Sequence, residues 1–159
     1  MTNETNGILI VDKPQGITSA RVISRIKRIS GINKIGHTGT LDPMATGIMI
    51  CTINRATRLS RFFLTSSKKY AAVLKLGVET DTLDATGSIV ATHQIDTVSE
   101  HAIIEACKQF EGEILQIPPA YSALKHNGVP LYKYARNGTP VIKPPRKVFI
   151  SYIKIIDIN

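Results

Sequence analysis

The stretch Gly36-His37-Thr38-Gly39-Thr40-Leu41-Asp42-Pro43-Met44-Ala45-Thr46-Gly47 places one carboxylate among three glycines, between apolar segments of the chain. Glycine permits positive φ angles and a close approach of another molecule. Pro43 stiffens the chain after Asp42 and favours an extended backbone at Asp42 itself. A short acid on a rigid loop is how a nucleophile or general base is presented. A tight turn capped by Asp42 is the alternative interpretation.

Composition favours a single domain, or part of a larger protein, with a polyanionic partner. The 159 residues are 43% hydrophobic and carry a net charge of +8. Such a charge favours nucleic acid, although a basic enzyme without that partner remains an alternative. No apolar run approaches the ~20 residues of a membrane helix, and the N-terminus lacks a signal-peptide profile. Cys51 and Cys107 match no redox or metal pattern, so two buried thiols in a reducing, cytoplasmic compartment are expected.

The sequence gives no support for a nucleotide, metal or other cofactor site. The glycine-rich loop lacks the Gly-Lys-Ser/Thr of a phosphate-binding loop. The four histidines show no ligand spacing with one another or with the cysteines. No serine lies in a nucleophile elbow. Asp42 is therefore the favoured chemical group, with Tyr70 beside a Lys-Lys pair as the second candidate.

Apolar patterning predicts an α+β fold. Strands are predicted from apolar runs and alternation over 7–11, 47–53, 71–76, 89–92, 114–117 and 146–158. Helical patterns begin near Thr18, Arg55, Thr97 and Leu131. Their order is not a steady β-α-β alternation, which favours a mixed, mainly antiparallel sheet flanked by helices. Because an apolar strand closes the chain, we expect that sheet to be incomplete at its C-terminal end.

Two basic regions indicate contact with RNA. Arg21, Arg25 and Arg28 lie on one side of the first predicted helix, opposite an apolar face that includes Ile29. With Lys13 and Lys34 on flanking loops they suit phosphate groups, although a solvated face is the alternative. Residues 121–147 contain three tyrosines, four lysines and two arginines but no acid. Aromatic residues interleaved with cations suit RNA better than a protein core.

Four motifs carry a family resemblance, and they occur in the family's order. They are Asp12-Lys13-Pro14-Gln15-Gly16-Ile17-Thr18-Ser19, the loop 36–47, Lys68-Lys69-Tyr70 and Gln116-Ile117-Pro118-Pro119-Ala120-Tyr121-Ser122-Ala123-Leu124-Lys125. Together they resemble the TruB family of tRNA pseudouridine synthases. The resemblance makes residues 1–159 the N-terminal portion of a catalytic domain, without a C-terminal RNA-binding domain. The family usually has glycine where this chain has Asn54, which predicts a local change of turn.

The resemblance implies a pseudouridine synthase fold and conversion of a uridine, at position 55 in the T-arm of tRNA, to pseudouridine. No cofactor or metal is implied. Asp42 would be the nucleophile, and an arginine from a segment absent here would pair with it. Tyr70 would stack on the extruded uracil and remove the C5 proton; a strand tyrosine with its ring in the core is the alternative. His37 would fill the vacated space, or be a loop histidine bonded to backbone.

The resemblance also implies a set of substrate contacts. Lys13 and Pro14 would support the catalytic loop. The residues that would bind the substrate RNA near this loop are His37, Lys13, Thr38 and Gly39. An RNA-gripping insertion at about 118–147 would contact the T-arm stem-loop through Tyr121, Lys125, Tyr132 and Arg136. Asp84 matches a family acid, expected to be structural or close to RNA.

Two other functions stay open at the level of sequence. A non-catalytic RNA-binding or RNA-folding protein derived from the family would keep the basic surface without the chemistry. A guide-RNA-dependent relative would act on other RNAs. The insertion at 118–147 favours the stand-alone tRNA enzyme over the guide-dependent one, and the presence of both Asp42 and Tyr70 favours an enzyme.

Overall fold

A computed structural model describes residues 5–158 of the chain. The chain divides into two compact units, residues 1–72 and 73–159. The elements described in the first unit are β1 (Gly7–Lys13), α1 (Ser19–Ser30), β2 (Ile35–His37), β3 (Gly47–Ile53), a 3₁₀ helix (Asn54–Leu59) and α2 (Ser60–Leu64). Between residues 5 and 158, no helix combines the length and the apolar character that crossing a membrane requires.

The first unit is built on a three-stranded antiparallel sheet with β3 in its centre. β1 and β2 pair with opposite edges of β3, in the order β1-β3-β2. The register places Lys13 opposite Gly47 and His37 opposite Cys51. Because β1 ends at Lys13 beside the start of β3, the turn after β1 meets the loop that joins β2 to β3. The sheet thus brings two of the sequence motifs together.

Helix α1 covers one face of this sheet. Its side chains Val22 and Ile23 are buried with Ile35, Met49 and Cys51. Both ends of the helix are set by local sequence: the Thr18 hydroxyl caps the N-terminus, and Gly31, at φ 70°, ends the helix in the left-handed conformation. The apolar face predicted for the helix is shorter than expected. Ile29 is 83% exposed, because the buried cluster ends one turn earlier.

The second unit contains three small antiparallel sheets among its described residues. Its elements are β4 (Val78–Thr80), β5 (Ile89–Thr92), α3 (Glu100–Lys108), β6 (Gly112–Gln116), β7 (Lys125–His126), β8 (Val129–Pro130), α4 (Leu131–Arg136) and β9 (Arg146–Ile150). β4 pairs with β5, β6 with β9, and β7 with β8. Every strand pair described in residues 5–158 is antiparallel.

Two predicted strands differ from the structure. Residues 71–76 form no strand; Val73 and Leu74 are 101% and 83% exposed. The apolar alternation is present, but a strand exists only where another strand accepts its hydrogen bonds. The closing strand was predicted to run to residue 158 and ends at Ile150. Its partner β6 supplies five residues, and the register stops where β6 begins at Gly112.

Two smaller predictions about helices are also corrected. The third helix begins after Ser99, whose hydroxyl accepts from the Ala102 amide at 3.2 Å, and not after Thr97. The helical pattern near Arg55 forms the 3₁₀ helix and α2. It also predicts that Leu59, Phe62 and Phe63 turn toward the core, and the first two do not. Leu59 and Phe62 are 43% and 60% exposed.

Candidate active site

The loop between β2 and β3 presents the Asp42 carboxylate to solvent. Where the loop leaves the sheet, the Thr38 amide donates to the Ile50 carbonyl oxygen at 3.0 Å. Within a tight turn, the Ala45 amide donates to the Asp42 carbonyl oxygen at 3.1 Å. The Asp42 side chain is exposed. In the part of the chain that the structure describes, its carboxylate has no hydrogen-bond or ion-pair partner. The carboxylate is therefore accessible to solvent.

A buried lysine holds the backbone on the C-terminal side of Asp42. Lys13 is completely inaccessible to solvent. Its ammonium group donates to the carbonyl oxygens of Pro14 at 3.1 Å, Pro43 at 3.3 Å and Ala45 at 2.5 Å. These three acceptors match the three donors of an ammonium group, which offsets the cost of burying the charge.

The position of Lys13 bears on two predictions. The RNA or phosphate contact predicted for Lys13 stays a prediction, and in this structure the ammonium group is buried and bonded to backbone. The expected support of the catalytic loop does match the observed bonds to Pro43 and Ala45. Full burial of this lysine is unusual, because lysine is almost never fully buried unless its charge is paired or hydrogen-bonded.

The turn between β1 and α1 adds two further contacts to the loop. The Gly16 amide, in a residue at φ 84°, donates to the Pro43 carbonyl oxygen at 2.8 Å. The Ser19 hydroxyl bonds both the amide and the carbonyl oxygen of Leu41. Neither contact was predicted. The motif 12–19 contains both residues, but only the folded sheet brings them to the loop.

The other predicted substrate residues of the loop have different environments. The Nδ1 atom of His37 lies 2.8 Å from the Gly39 carbonyl oxygen, an acceptor, so Nδ1 carries the proton. This is the backbone-bonded histidine of the alternative interpretation, and its ring is half-buried. Thr38 is 4% exposed, and its contact with RNA stays a prediction. Gly39 faces open space, since a Cβ atom there would meet nothing within 4 Å.

Tyr70 lies outside any helix or strand. It is 72% exposed, which excludes the alternative of a strand tyrosine with its ring in the core. Among the contacts described for residues 5–72, none joins Tyr70 to the Asp42 loop. The ring is available to stack on a ligand, and the structure does not bring it to the carboxylate.

The predicted RNA-gripping segment forms a compact hairpin followed by a helix in the second unit. The strands β7 and β8 pair around Asn127 and Gly128, and α4 follows directly. The Arg136 guanidinium lies 5.5 Å from the ring centre of Tyr132. Lys125 and Arg136 are exposed, whereas Tyr121 and Tyr132 are half-buried. Exposed cations and half-buried tyrosines thus occur together in one small motif.

Sequence reasoning missed a polar cluster inside this segment. His126 Nδ1 lies 3.1 Å from Lys143 Nζ, and the Tyr134 hydroxyl donates to the His126 carbonyl oxygen at 3.2 Å. The rings of His126 and Tyr134 meet edge to face at 5.8 Å. This cluster ties the hairpin to α4 and to residue 143.

Asp84, which the resemblance predicts to be structural or close to RNA, stabilises its own loop. Its Oδ1 atom accepts from the Thr86 hydroxyl at 2.6 Å, from the Thr86 amide at 2.8 Å and from the Thr82 hydroxyl at 2.8 Å. The Thr86 hydroxyl is the largest of the effects that lower the pKa of Asp84, and partial burial opposes them. These bonds give Asp84 a structural role.

No metal centre is evident in the described residues, and the thiols are unpaired. Residues 5–158 contain no group of three His, Cys, Asp or Glu side chains suited to a metal ion. Cys51 is buried as predicted, and burial raises the pKa of its thiol. Cys107 is only half-buried.

Comparison with known proteins shows the family to which this chain belongs. A model of the TruB family pseudouridylate synthase N-terminal domain matches residues 27–159. This chain belongs to the TruB family. It is 46% identical over 154 residues to the tRNA pseudouridine synthase B of Syntrophotalea carbinolica, covering 97% of this chain and 50% of that protein. The synthase of the same name from Bordetella avium is 47% identical, with 95% and 63% covered. The chain thus spans about half the length of most of these relatives.

A solved structure supports the fold. The crystal structure of a Cbf5-Nop10-Gar1 complex matches this TruB-family chain with a TM-score of 0.59 and 27% identity, covering 96% of this chain and 36% of that one. The α+β pseudouridine synthase fold expected from the sequence is therefore confirmed.

Proposed function

We propose that this chain carries the catalytic aspartate of an RNA-modifying isomerase. Its substrate would be tRNA, and its reaction the conversion of uridine to pseudouridine at position 55 of the T-arm. The exposed Asp42 carboxylate carries this proposal, because the backbone beside it is held by buried Lys13 while the acid itself stays free. The relatives named tRNA pseudouridine synthase B support the choice of tRNA.

A free carboxylate meets the chemical demands of this isomerisation. An Asp42 oxygen attacks C1′ of the nucleotide as the N-glycosidic bond breaks, and uracil leaves with the bonding electrons. After the base rotates, C5 bonds to C1′ and releases the carboxylate. C5 loses a proton and N1 gains one, so the product is an isomer and needs no co-reactant. Attack at C6 of the base is the other route, and both divide one hard step into two easier ones.

Extrusion of the base assigns roles to two further residues. The target uridine has to leave its stack before the carboxylate can reach it, at a cost of a few kcal/mol. Tyr70, whose ring is exposed, stacks on the extruded uracil and takes the C5 proton. His37 occupies the space that the base vacates. A ring held by Gly39 on the catalytic loop suits this role, because it is already oriented before RNA binds.

The RNA partner contacts both units. Residues 118–147 form the RNA-gripping insertion of a domain of which residues 1–159 are the N-terminal portion. Lys125, Arg136, Tyr121 and Tyr132 contact the T-arm, as cations and aromatic rings do in single-stranded RNA loops. On the first unit, Arg21, Arg25 and Arg28 are exposed along one side of α1 and contact phosphates.

Substrate specificity tests this function. The chain is incubated with a T-arm stem-loop RNA, and the digested nucleosides are separated by chromatography, because pseudouridine and uridine have equal mass. A matched stem-loop carries cytidine in place of the target uridine. Pseudouridine should form in the first RNA and be absent from the second. No pseudouridine in either RNA, or equal amounts in both, would contradict the proposal.

A further inference from the structure

Ser19 makes two hydrogen bonds to the residue that precedes Asp42. Its hydroxyl accepts from the Leu41 amide at 2.9 Å and donates to the Leu41 carbonyl oxygen at 3.0 Å. One hydroxyl can do both, since it has one donor and two acceptor sites. Ser19 is 2% exposed, so water does not compete easily for either bond. The side chain thus completes the hydrogen bonds of Leu41 as a neighbouring strand would.

The helix leaves this hydroxyl free for the loop. Ser19 is the first residue of α1, where serine often caps the helix. Here the preceding residue, Thr18, takes that role through a bond from the Arg21 amide at 3.2 Å. Because Ser19 sits on a capped, packed helix, its side chain starts from a fixed backbone. Leu41 is therefore tied to the rigid core of the first unit.

The two flanks of Asp42 are held by different groups. Lys13 and Gly16 bind the carbonyl oxygen of Pro43, after the acid. Ser19 binds Leu41, before it. Because the flanking residues are fixed while the Asp42 side chain is exposed, the direction of the carboxylate depends on both attachments. Loss of either one would let the acid drift from its productive position.

We propose that Ser19 is a positioning residue, which orients Asp42 by fixing the backbone of Leu41. The inference rests on the proposed role of Asp42 as the nucleophile. A displacement of about 1 Å at a reacting group can reduce turnover by about 10²-fold. Ser19 does not touch the RNA, so its removal should lower kcat and leave KM nearly unchanged.

Hydrogen exchange tests the attachment independently of catalysis. In the wild-type chain the Leu41 amide should exchange slowly although it lies outside any strand, and the amide of its neighbour Thr40 is the internal reference. Ser19→Ala should speed Leu41 exchange by about tenfold or more. The matched control is Ser24→Ala on the same helix, whose exposed hydroxyl bonds only Ala20 at 3.1 Å. An unprotected Leu41 amide in the wild type would overturn the inference without any variant.

Kinetics tests the positioning role. Ser19→Ala should lower kcat by about tenfold to 10²-fold with KM within about twofold, and Ser24→Ala should match the wild type. An unchanged kcat, or a loss that appears in KM alone, would overturn the role of Ser19 while leaving Asp42 as the nucleophile. A wild-type chain with no turnover would instead overturn the proposed function and the catalytic part of this inference. The exchange of Leu41 would still confirm or refute the attachment.

Discussion

At the scale of single residues, the structure shows how Asn54 fits a position where the family resemblance predicts glycine. Its φ is 49°, a left-handed conformation that glycine adopts freely and asparagine tolerates. The backbone amide of Asn54 donates to the Lys34 carbonyl oxygen at 2.8 Å, and its side-chain amide donates to the Thr5 carbonyl oxygen at 2.7 Å. The expected local change is therefore small, since asparagine keeps the turn and adds a bond.

Replacing Asn54 tests this account of the turn. Asn54→Ala should lower the free energy of unfolding by about 1–2 kcal/mol. Alanine is disfavoured in the left-handed conformation, and it also lacks the side chain that bonds Thr5. Asn54→Gly should stay within about 1 kcal/mol of the wild type, because glycine relieves the backbone while losing the same bond. Urea unfolding measures both. Alanine and glycine variants of equal stability would contradict the role of the backbone angle.

Asp84 makes stability depend on acid pH. Its hydrogen bonds lower its pKa from the ordinary value of 3.8. The folded state therefore holds the charged form more tightly than the unfolded chain does. This contribution is fully present above pH 3.8 and is lost as the pH falls from there through the lowered pKa. Asp84→Asn should be less stable than the wild type at neutral pH and should lose less stability on acidification.

Thermal unfolding at neutral pH and near pH 3 measures this difference. Asp96→Asn is the control, because Asp96 is an exposed acid in the same unit. Its acid dependence should match the wild type. If Asp84→Asn loses as much stability at low pH as the wild type does, the bonds from Thr86 and Thr82 contribute nothing to the pH dependence of stability.

At the scale of elements, the starts of α1 and α4 and the bounds of β3 and β5 were predictable, whereas the ends of other strands were not. α1 and α4 begin where the sequence pattern predicts, near Thr18 and Leu131, and the ends of α1 are set by the local chemistry of Thr18 and Gly31. A strand depends on a partner distant in sequence, so residues 71–76 and 151–158 kept their pattern without pairing. The site divides in the same way. The exposed acid on its loop could be predicted, whereas the Lys13 and Ser19 contacts exist only after β1 pairs with β3.

The cap of α1 provides a prediction at this scale. Thr18→Ala removes the hydroxyl that accepts from the Arg21 amide and should cost about 1 kcal/mol of stability. Ser24→Ala serves as the control, because it removes a hydroxyl from the exposed middle of the same helix and should cost less. The midpoints of urea unfolding compare the two. A Thr18→Ala chain as stable as Ser24→Ala would contradict the assigned cap.

At the scale of the whole molecule, the charge is divided unevenly between the units. Residues 1–72 contain eleven Lys and Arg but three Asp and Glu, a net charge of +8 that equals the total of the chain. Residues 73–159 contain nine of each and are neutral. The ion pairs described in residues 5–158 all lie in the second unit. The first unit, which carries Asp42, thus supplies the net attraction for a polyanion.

Salt dependence tests this division of charge. Binding of the T-arm stem-loop should weaken steeply with salt, because bound cations release counterions from phosphates. Replacing Arg21, Arg25 and Arg28 by glutamine should reduce the slope of log K against log salt by about 2–3. A triple variant of Lys75, Lys108 and Lys154 in the second unit has the same change in charge and should reduce it less. Equal slopes for the two variants would contradict an RNA contact on α1.

The turnover of Asp42→Asn tests the central claim most directly. Asparagine keeps the size of the side chain and replaces the nucleophilic carboxylate by a neutral amide. The control is Asp96→Asn, which makes the same chemical change at an exposed acid of the second unit. Pseudouridine formation in the T-arm stem-loop is followed by chromatography, and RNA binding is measured in parallel. We predict no detectable pseudouridine from Asp42→Asn, with RNA affinity within a few-fold of the wild type, and full activity from Asp96→Asn. Turnover by Asp42→Asn at the wild-type rate would contradict the assignment of Asp42 as the nucleophile.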